Sequence, residues 1–298
     1  MRKILITGIN GFIGQHLAKS LIQRGHIISG IGRKEECLIE EVSEYFQGDI
    51  LDKQLVEKAT ESAKIIIHIA APTQHEEIVN NKFNTLETNF LGTKNLLGAF
   101  SKSKNGKKFI YSSTGKVYGD IQFLPITEHH PTNPLNILGK SKLITEKLID
   151  FYSNNEKDFI ILRIFNVFGA GQKESFLIPT ILNQIKNSDE INLGDIKAKR
   201  DYIHIQDVVD AFVTLIESKT EHGLSIFNIC SGKGLSAEEI VAEIDKILNR
   251  KTRINSNIAL VRKDEKDVEY GSYSKMDSCF GWKPVCSLTD YFKEALKE

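Results

Sequence analysis

Residues 3–14, Lys-Ile-Leu-Ile-Thr-Gly-Ile-Asn-Gly-Phe-Ile-Gly, constrain the fold more than any other stretch of the chain. The apolar run Ile4, Leu5 and Ile6 predicts a buried parallel strand. Gly8, Gly11 and Gly14 follow at three-residue spacing, and a helix-periodic pattern (Phe12, Ile13, Leu17, Leu21, Ile22) opens behind them. Gly8 permits the tight turn off the strand, Gly11 lets the backbone approach a pyrophosphate, and Gly14 lets the helix pack closely on the sheet. The turn through Asn10 and the helix start at Phe12 and Ile13 then aim free N–H groups at an anion. A Gly-rich turn alone carries little weight, but strand, turn and helix in this order predict a dinucleotide site.

Residues 27–31 predict the second strand. In NAD-binding units an acidic residue closes this strand and accepts the adenosine ribose hydroxyls. Gly32 stands there instead, followed by Arg33 and Lys34. A guanidinium suits a 2′-phosphate that a carboxylate would repel, so NADP is expected ahead of NAD. The alternative is that both cations are ordinary surface charges. A third strand over residues 45–50 ends in a turn at Asp49 and Ile50, placed to meet an adenine edge. The fourth, residues 65–69, is continuously apolar apart from His68, which reads as a packed strand residue. Ala70 and Ala71 after it are small enough for a cofactor to lie close.

A long helix is expected over 80–101 with Asn89 inside it, then a fifth strand over 109–112, a helix beginning at Pro134 and a sixth strand over 159–164. Strands alternating with helices predict an α/β fold, a Rossmann-type doubly wound parallel sheet. The dinucleotide-binding domain is expected to span 1–171, with 201–222 packing back on it. Residues 172–200 and 223–298 read as a smaller, mixed α/β substrate domain.

With 298 residues and 41% hydrophobic content, the chain can bury such a core. Lys plus Arg equals Asp plus Glu at 39 each, which argues against a nucleic-acid partner. The four cysteines show no C-x-x-C spacing, so neither a disulfide framework nor a metal site is expected. No apolar run is long enough to span a bilayer, and residues 4–13 lack a small-residue cleavage site. A soluble cytoplasmic protein is the expectation.

Taken together, the chain resembles the extended short-chain dehydrogenase/reductase family of nucleotide-sugar epimerases, dehydratases and reductases. The likeness runs nearly end to end. It rests on Gly8-x-x-Gly11-x-x-Gly14, Gly48-Asp49, His68-Ile-Ala-Ala, Asn89-x-x-Gly92-Thr93 and Ser112-Ser113-Thr114 with Val117-Tyr118-Gly119. Ser141-Lys142-x-x-x-Glu146, Leu162-Arg163-Ile-Phe-Asn166-Val-Phe-Gly169, Arg200-Asp201-Tyr202-Ile203-His204 with Asp207, and Gly281-Trp282-Lys-Pro284 complete it. The resemblance implies that Thr114 hydrogen-bonds the reacting oxygen and that Lys142 holds the nicotinamide ribose. It also implies that Asn166 and Arg200 hold a nucleotide diphosphate. Arg262 is a weaker match, because Lys-Asp-Glu-Lys-Asp follows it. For Arg200 the competing reading is an ion pair with Asp201 or Asp207. A homodimer through the helices at 80–101 and 138–153 is implied as well.

One departure stands out. The family's general acid–base tyrosine lies four residues before the lysine, and that position is Leu138. None of the eight tyrosines has a lysine four residues later, so no shifted register supplies the motif. Water, Thr114 relaying from solvent, Lys116, Tyr118 or His129 are the remaining proton sources. Gly115-Lys116 stands where the dehydratase branch has Asp-Glu, which argues against a 4,6-dehydratase. The expected activity is NADP(H)-dependent reduction of a nucleotide-linked keto-sugar at C4. The alternatives are a nucleotide-sugar 4-epimerase with unusual acid–base chemistry, or a catalytically weak nucleotide-sugar-binding protein.

Overall fold

The alternation of buried strands and amphipathic helices builds the first of two units. The computed structural model describes residues 1–72, 75–257 and 267–297. One unit comprises residues 1–120, 131–164 and 209–228, and the other residues 121–130, 165–208 and 229–298.

In the first unit the chain runs β1 (Lys3–Thr7), α1 (Phe12–Gln23), β2 (Ile27–Gly32), β3 (Glu44–Gln47), α2 (Lys53–Thr60) and β4 (Ile65–His68). It continues through α3 (His75–Asn80), α4 (Lys82–Glu87), α5 (Thr93–Lys102), β5 (Lys108–Thr114), α6 (Ile137–Tyr152) and β6 (Asp158–Ile164). The strands lie in the order β3-β2-β1-β4-β5-β6, all paired in parallel, with Gly223–Ile229 beyond β6. This is the Rossmann-type order, and the chain reverses direction across the sheet between β1 and β4. Thr7 lies opposite both Ile31 and His68, so the ends of β1, β2 and β4 finish level and open a ligand edge. Under the sheet, the buried Leu97, Phe100, Phe109 and Phe159 interlock, with Phe100 edge-on to Phe159 at 5.5 Å. Each such side chain contributes roughly 1.5–3 kcal/mol by leaving water.

Two helices differ from expectation. The long helix over 80–101 is three pieces: Asn81 leaves the helical region (φ −126°, ψ 52°), and Thr88–Gly92 form a π-helical turn before α5 resumes. The helix expected from Pro134 begins at Ile137, because the Asn136 side chain caps it by accepting from Gly139 N at 2.8 Å. Val79, Phe83 and Leu86 on α3 and α4, and Ile144 and Phe151 on α6, leave apolar surface exposed.

In the second unit, Lys199–His204 is the central strand. Asn166–Phe168 and Val268–Glu269 pair with it in parallel, and Gly234–Leu235 pairs antiparallel. Glu190–Leu193 and Arg253–Ser256 form a separate parallel pair. Helices Leu177–Asn187, Ala237–Leu248 and Leu288–Ala295 share a core with Phe168, Ile191 and Leu193. Ser236 and Glu239 close a reciprocal capping box at the start of the second of these helices.

Candidate active site

The glycine turn is shaped by close backbone approach. Gly8 has φ +73°, and a Cβ there would lie 2.9 Å from the Ala70 backbone. A Cβ on Gly14 would collide with the Gly8 and Ile9 carbonyls. Gly11 N donates to Gly8 O at 2.9 Å, and α1 starts with no side-chain cap. The first-turn amides, Phe12 and Ile13 among them, therefore remain for an anion, which fits a dinucleotide pyrophosphate.

The neighbouring strand ends complete this edge. Arg33 is exposed and, among the described residues, makes no hydrogen bond or ion pair. Asp49 accepts from Leu51 N at 3.0 Å, and the buried Ile50 packs where a Cβ on Gly92 would sit. Ala70 N donates to Thr7 Oγ1 at 3.2 Å, and Ala71 is half-buried beside it.

His68 lies wholly inside, as expected. Thr93 Oγ1 donates to Asn89 O, so it accepts from His68 Nε2 at 2.9 Å. His68 Nδ1 then accepts from Thr7 Oγ1 at 2.7 Å, and the ring is a neutral Nε2–H tautomer. Burial first, and the Lys142 charge second, push its pKa down to about 3.

Asn89 occupies the π-helical turn and donates from Nδ2 to Ser141 Oγ at 2.9 Å. Ser141 Oγ in turn donates to Leu138 O at 3.0 Å. One turn after Leu138, Lys142 is buried, donates from Nζ to Ser112 O at 2.7 Å and lies 4.6 Å over the Tyr111 ring. Burial pushes its pKa down to about 7 against the attraction of Glu146. Thr114 ends β5 half-buried and accepts from Lys116 N at 3.2 Å, which leaves its hydroxyl proton free to donate. A Cβ on Gly139 would strike Lys116 O, so the start of α6 is seated on the turn behind Thr114. The π-turn, α6 and β5, which carry Asn89, Leu138 with Lys142, and Thr114 in turn, are thus held to one another by the Asn89–Ser141 and Lys142–Ser112 bonds.

In the second unit, Asn166 and Arg200 come from paired strands. Asn166 Nδ2 donates to Asp201 O at 2.9 Å. Arg200 is buried, donates to Lys199 O at 2.8 Å and has Glu269 at 3.9 Å. Among the described residues, the acid beside Arg200 is Glu269, and the side chains of Asp201 and Asp207 accept from loop amides instead. Asp201 accepts from Ser231 N, Ser231 Oγ, Gly232 N and Gly271 N, at 2.7–3.1 Å. Burial outweighs these bonds and pushes its pKa up to about 6. Asp207 accepts from Val285 N at 2.9 Å and from Cys286 N. Arg262 lies outside the described residues.

A family model for the NAD dependent epimerase/dehydratase family matches residues 4–230. The chain belongs to this family.

Across 310 residues it is 30% identical to a GDP-6-deoxy-D-mannose reductase of Pseudomonas aeruginosa, covering 100% of this chain and 97% of that one. It is also 30% identical to a UDP-glucose 4-epimerase of Halalkalibacterium halodurans, covering 94% of this chain and 90% of that one. Among solved structures, RMD from Pseudomonas aeruginosa complexed with NADPH superposes with a TM-score of 0.84 at 28% identity, covering 100% and 98% of the two chains. Membership supports an NAD(P)-dependent, oxidoreductase-type enzyme of nucleotide sugars. No described helix is long and apolar enough to cross a membrane.

Within the family pattern the structure sorts motif residues by task. Tyr118 is buried and donates its phenol proton to Asn228 Oδ1 at 2.6 Å, which takes it out of the set of proton sources. Glu146 is half of a buried ion pair with Arg163 at 2.7 Å. Residue reading missed Glu269, Asn228 and Tyr45. Their roles depend on partners far away in sequence, so no local spacing announces them.

Proposed function

We propose that this protein is an NADP(H)-dependent reductase of a nucleotide-linked keto-sugar, acting on the C4 ketone of a nucleoside-diphosphate 4-keto-6-deoxy sugar. The observation that carries the reading is the end of β2, where Gly32 stands in place of a ribose-binding acid and the exposed Arg33 follows. Gly8, Asn10, Gly11, Phe12, Ile13 and Gly14 would surround the pyrophosphate, Arg33 the 2′-phosphate, and Asp49 and Ile50 the adenine. Ala70, Ala71, Asn89 and Lys142 would face the nicotinamide half. When bound, the reduced cofactor supplies hydride. Thr114 donates its free hydroxyl proton to the forming alkoxide, the charge that a positioned donor stabilises most. Lys142 supplies a positive charge, and Asn166, Arg200 and Arg262 hold the diphosphate, a task suited to arginine.

A reductase needs one protonation per turnover, delivered through Thr114 from solvent or from Lys116 or His129. An epimerase must remove and return a proton at the sugar hydroxyl in every cycle, and Leu138 offers neither step.

NADPH is expected to bind more tightly than NADH, and Arg33→Ala to abolish the difference. NADPH oxidation is then expected with some member of a panel of nucleotide-linked 4-keto sugars. No oxidation, despite demonstrated binding of both ligands, refutes the reductase and leaves the binding protein. Arg200→Ala should weaken nucleoside-diphosphate binding about tenfold or more with cofactor affinity kept, since a charge-assisted bond is worth about 1.5–3 kcal/mol. Unchanged nucleotide affinity removes Arg200 from the site.

The pH dependence follows from Lys142. Its ammonium is present below about pH 7 and is lost above it. Turnover that depends on this charge should therefore fall as pH rises through about 7, and Lys142→Met should flatten that limb. A limb that persists in Lys142→Met belongs to another group.

A further inference from the structure

The loop after β2 is tied down at alternate residues by two side chains. Asn10, in the middle of the glycine turn, donates from Nδ2 to Glu36 O at 3.0 Å and accepts at Oδ1 from Leu38 N at 2.8 Å. Its second amide hydrogen goes to Tyr45 Oη at 3.2 Å. Tyr45, from β3, donates its own phenol proton to Lys34 O at 2.6 Å. A flipped Asn10 amide would face the Leu38 N–H with another donor, so the bonding pattern fixes its orientation. Backbone groups at 34, 36 and 38 of an exposed loop are thus anchored to the glycine turn and to the sheet.

The same two side chains fill the space beside Gly32. A Cβ there would lie 2.7 Å from Tyr45 Oη and 3.3 Å from Asn10 Nδ2. Gly32 is the position at which a ribose-reading carboxylate would stand. A carboxylate-bearing residue there would have to displace the Tyr45 hydroxyl, and with it the bond that anchors Lys34 O.

We propose that Asn10 and Tyr45 form a lock that presets the Arg33 loop for a 2′-phosphate and bars the ribose-binding acid from the end of β2. The proposal rests on the NADP reading above and adds the residues that determine it. Ordering an exposed loop costs backbone entropy, and a loop ordered in advance spares that cost at binding. In the NADP reading, the 2′-phosphate contact through Arg33 is the one that draws on this loop. The pyrophosphate sits on the glycine turn, so the lock favours NADPH and is nearly neutral toward NADH. Asn10 is a binding-turn residue in its own right, whereas Tyr45 acts through the loop and is a positioning residue.

Tyr45→Phe removes one hydroxyl and keeps the ring. Titrating NADPH and NADH by dihydronicotinamide fluorescence reads selectivity, and amide hydrogen exchange at residues 34–38 without cofactor reads the lock itself. The expected result is faster exchange at 34–38, an NADPH dissociation constant raised about 3–10-fold, and an NADH constant changed less than about twofold; tenfold corresponds to about 1.4 kcal/mol. A wild type that prefers NADPH, with the same preference in Tyr45→Phe, overturns the lock and leaves the NADP reading standing. A wild type that binds both equally overturns the NADP reading, and with it any specificity for the lock to serve. A uniform loss of both cofactors also overturns the proposal, because it marks Tyr45 as structural.

Discussion

Leu138→Tyr is expected to raise the rate of NADPH-dependent keto-sugar reduction by roughly 10²–10⁴-fold, the usual worth of a positioned acid. The position lies in the first turn of α6, one turn before Lys142 on the same face. Leu138 is only half-buried, so a larger ring meets less packing than a core site would impose. Some strain is still expected, on the scale of about 1–3 kcal/mol for overpacking, and a thermal melt measures it separately. The Lys142 ammonium would stabilise the phenolate and lower the new phenol's pKa toward neutrality. Thr114→Val should slow turnover both in the wild type and in the Leu138→Tyr variant, since it deletes the hydroxyl aimed at the oxyanion. The idea that the site lacks only its acid is sunk if Leu138→Tyr lowers turnover in a fully folded enzyme. The remaining proton sources would then have reshaped the pocket around themselves.

How much of this was legible in the residues depends on the range of the interaction. The glycine turn could be read because two of its demands are local: the positive φ of Gly8 and the contact of Gly14 with the Gly8 carbonyl are made within seven residues, although Gly8 also meets the distant Ala70 backbone. The parallel, doubly wound sheet followed from strand–helix alternation, and the observed pairing of the strands agrees with it. The break in the 80–101 helix was not legible, because helical periodicity continues through Asn89 and Thr93. What opens the π-turn's polar groups to use is a set of remote partners, His68, Ser141 and Thr145. Arg200 shows the same limit. Its acidic neighbours in sequence, Asp201 and Asp207, are engaged by loop amides, and among the described residues an acid reaches it from a strand 69 residues later.

The second large effect is on stability. Arg163→Met should destabilise the protein by about 3–5 kcal/mol, because it strands a buried carboxylate. Glu146 receives Arg163 Nε at 3.2 Å and Arg163 Nη2 at 2.7 Å, and the Ser113 hydroxyl donates to its other oxygen. The guanidinium also lies 4.8 Å over the Tyr118 ring. The pair ties α6 to β5 and β6 in the unit that carries Thr114 and Lys142. Urea denaturation should show the midpoint of Arg163→Met falling steeply, while Glu146→Gln/Arg163→Met, which leaves neither member of the pair charged, recovers much of the loss. If the single and double variants are equally unstable, packing and not the charge is what matters. The double variant has a second readout. Glu146 is the group that holds the Lys142 pKa up against burial. Without it the ammonium loses its proton at lower pH, so the alkaline limb of the activity profile should move below about pH 7. A limb that stays in place would show that Lys142 does not set it.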